Sequence, residues 1–196
     1  MRVFGCCFSD GMKRTAIILT ALAGLLIAGF VALVVLKTVF ISYYIMQQDG
    51  MYPGIRPGTL VFSWKRPYKQ VSDVRRGDVV LFTRVENGER YDYIWRVIGL
   101  PGDKVEVDGE TVSINGQPLQ RERVRQEGDF VIFREVNGEA VYEVAYPLKS
   151  EMSNQPRAYL TVSDDELFVL GDNRFGAVDS RYFGPIKFDS IHGRKL

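Results

Sequence analysis

The chain has 196 residues, of which 46% are hydrophobic and 25% are charged, and its formal net charge is +1. These values are typical of a folded domain and exclude a disordered chain or a channel with many membrane spans. A net charge so close to zero gives no indication of a nucleic-acid-binding surface. The length suffices for one domain of ordinary size and one short additional element.

The first landmark is an uncharged apolar run, Thr15–Leu36. A helix over these residues is long enough to cross a hydrocarbon layer ~30 Å thick. A cleaved signal peptide is the alternative, because Ala21-Leu22-Ala23 has the form of a cleavage site, but this triplet lies inside the apolar run. The sequence therefore predicts an uncleaved transmembrane helix over residues 15–37.

The charges that flank the run predict its orientation. Arg2, Lys13 and Arg14 precede it, whereas only Lys37 follows closely. Positive charges favour the cytoplasmic side of a membrane. We therefore expect a cytoplasmic tail over residues 1–14 and an extracytoplasmic domain over residues 38–196.

The cysteines and the histidine limit the possible cofactors. Both cysteines, Cys6 and Cys7, precede the apolar run, so the following domain has no thiol for a disulfide or a metal site. Whether this pair is free or lipidated stays open. His192 is the only histidine, which excludes a multi-histidine metal site and makes a Ser-His triad implausible. We expect no metal and no other cofactor, and we expect His192 to lie at the surface.

After the apolar run, short alternating segments rich in β-branched and aromatic residues are separated by turn dipeptides. Asn-Gly and Asp-Gly between such segments are the strongest local signals of a β-hairpin. The pattern predicts a mostly β fold in which the single N-terminal helix is followed by a coiled or barrel-like antiparallel β domain. The turn dipeptides are Asn87-Gly88, Asp108-Gly109, Asn115-Gly116 and Asn137-Gly138.

The region of about residues 117–163 is the least regular by sequence. Its charged segment Arg121–Glu127 is typical of a solvated face. Lys149–Arg157, which contains Pro156 and follows Pro147, is typical of a surface loop.

Four sequence blocks occur in an order that resembles the type I signal peptidases, a family that removes leader peptides with a serine nucleophile and a lysine general base. The third block is the alternating strand that carries Trp95 and ends in Leu-Pro-Gly-Asp. The resemblance implies that residues 117–163 are a variable insertion before the last block. The blocks are Gly50–Gly58, Arg76–Phe82, Asp92–Asp103 and Gly171–Gly184.

The resemblance places the family's catalytic roles on residues that lack the necessary chemistry. The nucleophile falls at Gly50, which has no side chain, and the base falls at Trp95, whose indole N–H can only donate. The serine that orients the lysine falls at Ala177, and the oxyanion-hole hydroxyl falls at Gln48. We expect the Trp95 side chain to occupy space beside Gly50 and Ala177.

A nucleophile at another position is the remaining route to proteolysis. Ser42, Thr59 and Ser63 are the hydroxyl residues near the first block. Each would need a base, and the two lysines considered for that role, Lys65 and Lys104, are expected to be solvated. Burial would be needed to lower either pKa sufficiently.

Other residues of the blocks have structural interpretations. In the resembling family, the last block forms turns and an internal ion pair, which assigns this role to Asp172, Arg174, Asp179 and Arg181. Phe62 and Trp64 match the position of the family's membrane-facing surface, although a core strand is an equally good interpretation.

The sequence thus favours a catalytically inactive, signal-peptidase-like protein of the bacterial inner membrane, with its N-terminus in the cytoplasm. We expect it to be an accessory or assembly subunit of a larger envelope complex, with the bilayer and other membrane or exported proteins as partners. Nucleic acid and metal are not expected. Two alternatives stay open: an active signal peptidase with a rearranged site, and a module that binds exported peptides without cutting them.

Overall fold

The computed structural model of the chain describes residues 8–148 and 155–196. It consists of two compact units, which divide between Ile41 and Ser42. The first contains helix α1 (Phe8–Phe40), which extends beyond both ends of the predicted apolar run. Its part from Lys13 to Phe40 is long and apolar enough to cross a membrane. Cys6 and Cys7 lie outside the described residues.

The second unit is built almost entirely from short β-strands, as the alternating sequence pattern predicts. Its one α-helix in the described residues is a single turn, α2 (Ser180–Phe183). The strands are β1 (Ile41–Ile45), β2 (Leu60–Lys65), β3 (Val79–Glu86), β4 (Glu89–Gly99), β5 (Lys104–Asp108), β6 (Thr111–Ile114), β7 (Gln117–Pro118), β8 (Gln120–Glu127), β9 (Phe130–Asn137), β10 (Ala140–Pro147), β11 (Ala158–Thr161), β12 (Glu166–Leu170), β13 (Ile186–Lys187) and β14 (Ile191–Lys195).

The strands form three sheets. The largest has the order β1-β2-β14-β3-β4-β12-β13, and the two smaller ones have the orders β10-β9-β8 and β11-β5-β6-β7. The strand pairs with a determined register are antiparallel. The mostly β, antiparallel prediction is therefore confirmed.

The predicted hairpins are present. Asn87-Gly88 joins β3 to β4, and both residues have positive φ angles of 52° and 85°. Asn115-Gly116 has the same pattern, with φ angles of 55° and 77°. A two-residue turn of this kind matches the twist of its flanking strands. The remaining two dipeptides, Asp108-Gly109 and Asn137-Gly138, also join paired antiparallel strands.

In the region after residue 117, the predicted hairpin at Asn137-Gly138 is present, whereas the charged segment before it was not predicted to be a strand. β8, β9 and β10 have eight residues each and form one continuous sheet. The charged segment Arg121–Glu127 belongs to β8, where Arg125 bonds both Glu127 and Glu143 of β10. Charges that pair along and across a sheet hide the alternation that a strand otherwise shows. Of the predicted surface loop, residues 149–154 lie outside the described residues.

The C-terminal strand β14 is a second departure from the sequence interpretation. It lies inside the largest sheet, between β2 and β3, and it carries His192. His192 is half-buried rather than fully at the surface, and its Nε2 lies 3.5 Å from Asp92 Oδ1.

Candidate functional site

Strand β4 positions Trp95 at a branching point of the largest sheet. On one side, β4 pairs with β3 along the whole length Glu89–Arg96, with Trp95 opposite Val80. On the other side, β12 pairs with β4 only from Arg96 onward. Trp95 is 4% exposed and belongs to the same core cluster as Val80 and Phe82.

The indole ring of Trp95 lies directly against the backbone of Gly50. A Cβ atom added at Gly50 would lie 2.6 Å from Cζ3 of Trp95 and closer still to Cη2. Ordinary contacts of a Cβ atom are at least 3.4 Å. Any side chain at position 50 is therefore incompatible with this orientation of Trp95.

Two further small residues complete the surroundings of the ring. A Cβ atom at Gly171 would meet Ala177 Cβ, Gly50 O at 2.6 Å and Trp95 Cζ3 at 3.1 Å. Ala177 is itself 2% exposed. We refer to Gly50, Gly171 and Ala177 as the cradle of Trp95. The expected convergence of Trp95 with Gly50 is thus observed, and Ala177 packs at the same place.

Hydrogen bonds hold the cradle together. The Asn173 N–H donates to Gly50 O over 3.0 Å, which joins the first and last sequence blocks. The Gly171 N–H donates to Asp179 Oδ2 over 3.0 Å. The first bond joins two backbone groups, and the acceptor of the second is a buried carboxylate that Arg181 holds in place.

Asp172 and Arg174 of the last block form ion pairs with residues of other strands and not with each other. Asp172 does not pair with its neighbour Arg174; it accepts two hydrogen bonds from Arg96 of β4, of 2.7 and 2.6 Å. A Cβ atom at Gly54 would lie 2.8 Å from Asp172 Oδ2, so the glycine leaves room for this pair. The Arg96–Asp172 pair therefore links β4, next to Trp95, to the residue that follows Gly171 of the cradle.

Arg174 is fully enclosed and pairs with Glu135 of β9. Tyr142 donates a 2.9 Å hydrogen bond to the same carboxylate. Burial and the adjacent Glu135 charge raise the pKa of the Tyr142 hydroxyl, so it stays a donor. This network connects the last block to the smaller sheet.

Asp179 and Arg181 form the internal ion pair that the resemblance implies. Both Asp179 oxygens accept from the Arg181 guanidinium at 2.8 Å, and Asp179 also caps α2. The four charged residues of the last block that were assigned structural roles therefore all have partners within the domain, namely Asp172, Arg174, Asp179 and Arg181.

A cleft of about 260 Å³ opens beside Trp95. It lies between the end of β1 with the segment that follows it and the middle of β4. Its lining is mainly apolar and aromatic, with Gln47, Gln48 and Asp92 as the polar members. The other lining residues are Tyr44, Ile45, Met46, Val61, Leu81, Tyr91, Tyr93, Ile94 and Trp95.

Comparison with known proteins identifies the family. The profile of the family described as "Signal peptidase, peptidase S26" matches residues 17–196. The chain belongs to the signal peptidase family S26. Signal peptidase I of Bacillus caldolyticus is 30% identical over 168 residues, which are 84% of each chain. Signal peptidase I S of Bacillus subtilis is 29% identical over 180 residues, covering 88% of this chain and 83% of the relative.

Two further relatives carry related descriptions. Signal peptidase IB of Staphylococcus aureus is 29% identical over 170 residues, covering 84% of this chain and 81% of the relative. A signal peptidase I of known structure, from Enterococcus faecalis, is 32% identical and covers 62% of this chain and 95% of its own. Its TM-score is 0.38.

Within this signal peptidase fold, the hydroxyls considered as substitutes for Gly50 are poorly placed for catalysis. Ser63 is 1% exposed, and its Oγ is buried without a hydrogen-bond partner among the described residues. Thr59 is exposed and Ser42 is half-buried. Lys104 is exposed, as expected, whereas Lys65 is half-buried. Among the described residues, no base is hydrogen-bonded to Ser63 Oγ that could activate it as a nucleophile.

Strand β2 combines both interpretations of its sequence. Phe62 and Trp64 are 44% and 40% exposed on one face, together with Leu60. Val61 and Ser63 are buried on the other face. The strand is thus a core strand with an exposed apolar edge face.

Sequence reasoning missed Gly171 as a member of the cradle and Arg96 as the partner of Asp172. Gly171 stands in a motif whose glycines are equally explained as turn residues. The strand alternation Tyr91, Tyr93, Trp95 could have indicated an aromatic row along the cleft.

Proposed function

We propose that this member of the signal peptidase family does not cleave peptides and acts as an accessory or assembly subunit of a larger envelope complex. The observation that carries the proposal is the packing of Trp95 into the cradle. In this arrangement Gly50 takes the nucleophile position, Trp95 the base position and Ala177 the position that orients the base.

The chemistry supports the loss of activity. Gly50 has no atom that could form an acyl-enzyme, and an indole cannot take up a proton. Removing a serine nucleophile or its base lowers turnover by a factor of ~10⁶. From a typical kcat of ~10 s⁻¹, this leaves roughly one event per day.

The packing supports retention of the fold for another purpose. The three small residues and the large one are complementary in shape, and a buried tryptophan contributes ~150–250 Å² of contact surface. The ion pairs Arg96–Asp172 and Arg174–Glu135 are also intact. A scaffold that is stabilised without its chemistry is suited to binding other proteins.

The membrane placement rests on α1 and on β2. The exposed apolar side chains of α1 fit an anchor in the inner membrane, with residues 1–14 in the cytoplasm and residues 38–196 outside it. Phe62 and Trp64 offer an apolar face that suits contact with the bilayer.

One observation favours a second candidate, a module that holds exported peptides without cutting them. The cleft beside Trp95 has about 260 Å³ of free volume and an aromatic lining. It adjoins the part of β4 that β12 leaves unpaired. An extended peptide can add to such a strand edge through its backbone.

The first experiment measures proteolysis directly. The full-length protein in detergent micelles is incubated with a preprotein that has small residues at the first and third positions before the cut, beside an authentic signal peptidase I. We expect no processing. Turnover within a hundredfold of the authentic enzyme, lost in Thr59→Ala or Ser63→Ala, would establish the active alternative with a rearranged site.

The accessory role needs a separate measurement. Affinity purification of the full-length protein from mild detergent, followed by mass spectrometry, should recover defined membrane partners in fixed proportion. A protein recovered alone, and monomeric in the membrane extract, would contradict the accessory role.

A further inference from the structure

Three Asn-Gly dipeptides with the same local chemistry lie in different surroundings, namely Asn87-Gly88, Asn115-Gly116 and Asn137-Gly138. We propose that Asn87 is a site of spontaneous deamidation, and that its conversion to aspartate and isoaspartate loosens the end of the β3–β4 hairpin. The side-chain contacts of the other two asparagines protect them. Neither statement depends on whether the protein cleaves peptides.

The reaction needs only the dipeptide and water. After hydroxide removes its proton, the backbone nitrogen of Gly88 attacks Cγ of Asn87, and a succinimide ring closes as the N–Cγ bond forms. The Cγ–Nδ2 bond breaks, and Nδ2 leaves as ammonia after taking a proton from water, which restores the hydroxide. Water then opens the ring. Opening at Cγ gives aspartate, whereas opening at the backbone carbonyl carbon gives isoaspartate, whose main chain is longer by one carbon.

Asn87 is exposed at the tip of the hairpin. Within residues 8–148 and 155–196, its side chain makes no hydrogen bond that would hold the amide in place. A Cβ atom added at Gly88 would meet nothing within 4 Å, so the space beside the attacking nitrogen is open. The reacting groups of this dipeptide are therefore accessible to water and hydroxide.

The end of the hairpin has little lateral support. β14 pairs with β3 only as far as Phe82, and β12 pairs with β4 only from Arg96 onward. Between these limits, Thr83–Glu86 and Glu89–Asp92 have only each other as described strand partners. Segments with few neighbours open locally at a lower free energy than the whole domain. Such opening gives the backbone of Asn87 the freedom to rotate that ring closure requires.

The other two asparagines are held by hydrogen bonds. Asn115 Oδ1 accepts from the Lys104 N–H over 2.9 Å, and its Nδ2 donates to Asp103 Oδ1 over 2.9 Å. Asn137 is 2% exposed, and its Nδ2 donates to Ile98 O over 3.0 Å. These bonds must break before Cγ turns toward the next backbone nitrogen. The two bonds of Asn115 should slow its reaction by roughly tenfold or more.

The products fit the turn poorly. Glu86 and Glu89 lie directly opposite each other, and Arg84 already pairs with Glu86. A new carboxylate at residue 87 adds a further negative charge between them, and like charges at opposed positions destabilise a strand pair. Isoaspartate also lengthens a two-residue connection whose twist matches its flanking strands. Deamidation therefore weakens the pairing at the end of the hairpin.

The test follows all three asparagines in one sample. The full-length protein in micelles is incubated at mildly alkaline pH in water enriched in heavy oxygen, then digested in ordinary water and mapped by mass spectrometry. Ring opening during the incubation incorporates heavy oxygen, which separates it from deamidation during digestion. Electron-transfer fragmentation distinguishes isoaspartate from aspartate. A parallel incubation in urea gives the rates of the unfolded chain.

In the native protein, Asn87 should react at least roughly tenfold faster than Asn115, and Asn137 should be the slowest. In urea the three rates should become similar, because the dipeptides are chemically alike. Native rates that are equal, or a reaction at Asn115 or Asn137 ahead of Asn87, would overturn the assignment. An Asn87 that reacts in urea but not in the native protein would also overturn it.

Hydrogen exchange of the incubated protein measures the effect on the hairpin. Asn87→Gly is the matched control, because glycine also adopts a positive φ angle and has no side-chain amide. After equal incubation, the backbone amides of Thr83–Asp92 should exchange faster in the wild type and at an unchanged rate in Asn87→Gly. An unchanged rate in wild-type protein whose Asn87 has reacted, or an equal increase in both proteins, would contradict the loosening.

Discussion

Gly50 and Trp95 should be energetically coupled, because the Trp95 ring fills the space that a side chain at position 50 would need. The test is a double-mutant cycle of Gly50→Ala and Trp95→Ala. Gly50 does not have a positive φ angle, so alanine is acceptable to its backbone and the clash with the indole is the main effect. The ring or the loop would have to move by roughly 1 Å, an overpacking that typically costs ~1–3 kcal/mol.

In the Trp95→Ala background, the overpacking cost of Gly50→Ala should disappear. Trp95→Ala alone should destabilise the domain by ~3–5 kcal/mol, the usual range for truncating a buried tryptophan. In that background the added methyl group of Gly50→Ala enters empty space and should cost nearly nothing. The coupling energy is then ~1–3 kcal/mol, well above the scatter of independent sites.

The assay is denaturant unfolding of the full-length variants in micelles, followed by circular dichroism of the β signal. Gly54→Ala is the matched control, because its Cβ atom would meet Asp172 rather than Trp95. Its cost should be the same in both backgrounds. If the costs of Gly50→Ala and Trp95→Ala simply add, the packing argument is refuted.

Three other predictions concern the ion pairs and the membrane. Arg174→Met should lower the free energy of unfolding, measured with denaturant, by ~3–5 kcal/mol because it leaves Glu135 charged and buried. The double variant with Glu135→Met should recover most of this stability. A double variant as unstable as Arg174→Met alone would contradict the prediction. Burial tends to raise the pKa of Asp103, but its hydrogen bonds, of which the one from Arg76 has the largest effect, lower this pKa overall. The stability that the Asp103 carboxylate contributes above about pH 4 should therefore be lost as the pH falls through its lowered pKa. Asp103→Asn should lose less stability on acidification than the wild type. The same dependence of stability on pH in both proteins would refute the prediction. Protease added outside cells with a permeabilised outer envelope should digest residues 38–196, whereas a protected C-terminus would reverse the orientation.

The fold was largely predictable because its signals are local. The hairpin dipeptides, such as Asn87-Gly88, require positive φ angles that few other residues adopt, so sequence alone indicates the antiparallel connections. β14 was not predictable, because its five residues contain a glycine and three polar side chains and lack a clear alternation. Its place between β2 and β3 depends on partners distant in sequence.

The site was predictable in part for a related reason. The contact between Trp95 and Gly50 was implied by the resemblance to the signal peptidases, which assigns these residues the nucleophile and base positions. The partners of Asp172 and Arg174 did not follow, because Arg96 and Glu135 lie in other strands and nothing in their local sequence marks them. The cleft likewise depends on where β12 begins to pair with β4, which only the three-dimensional arrangement shows.

The most direct test of the proposed lack of cleavage is to rebuild the family's catalytic groups. The triple variant Gly50→Ser, Trp95→Lys, Ala177→Ser places a hydroxyl, an amine and its orienting group at the three positions. We expect measurable cleavage of the preprotein by the triple variant, and none by the wild type or by Gly50→Ser alone, whose side chain meets the indole. A triple variant that is folded but inert, or a wild type that cleaves equally fast, would contradict the account.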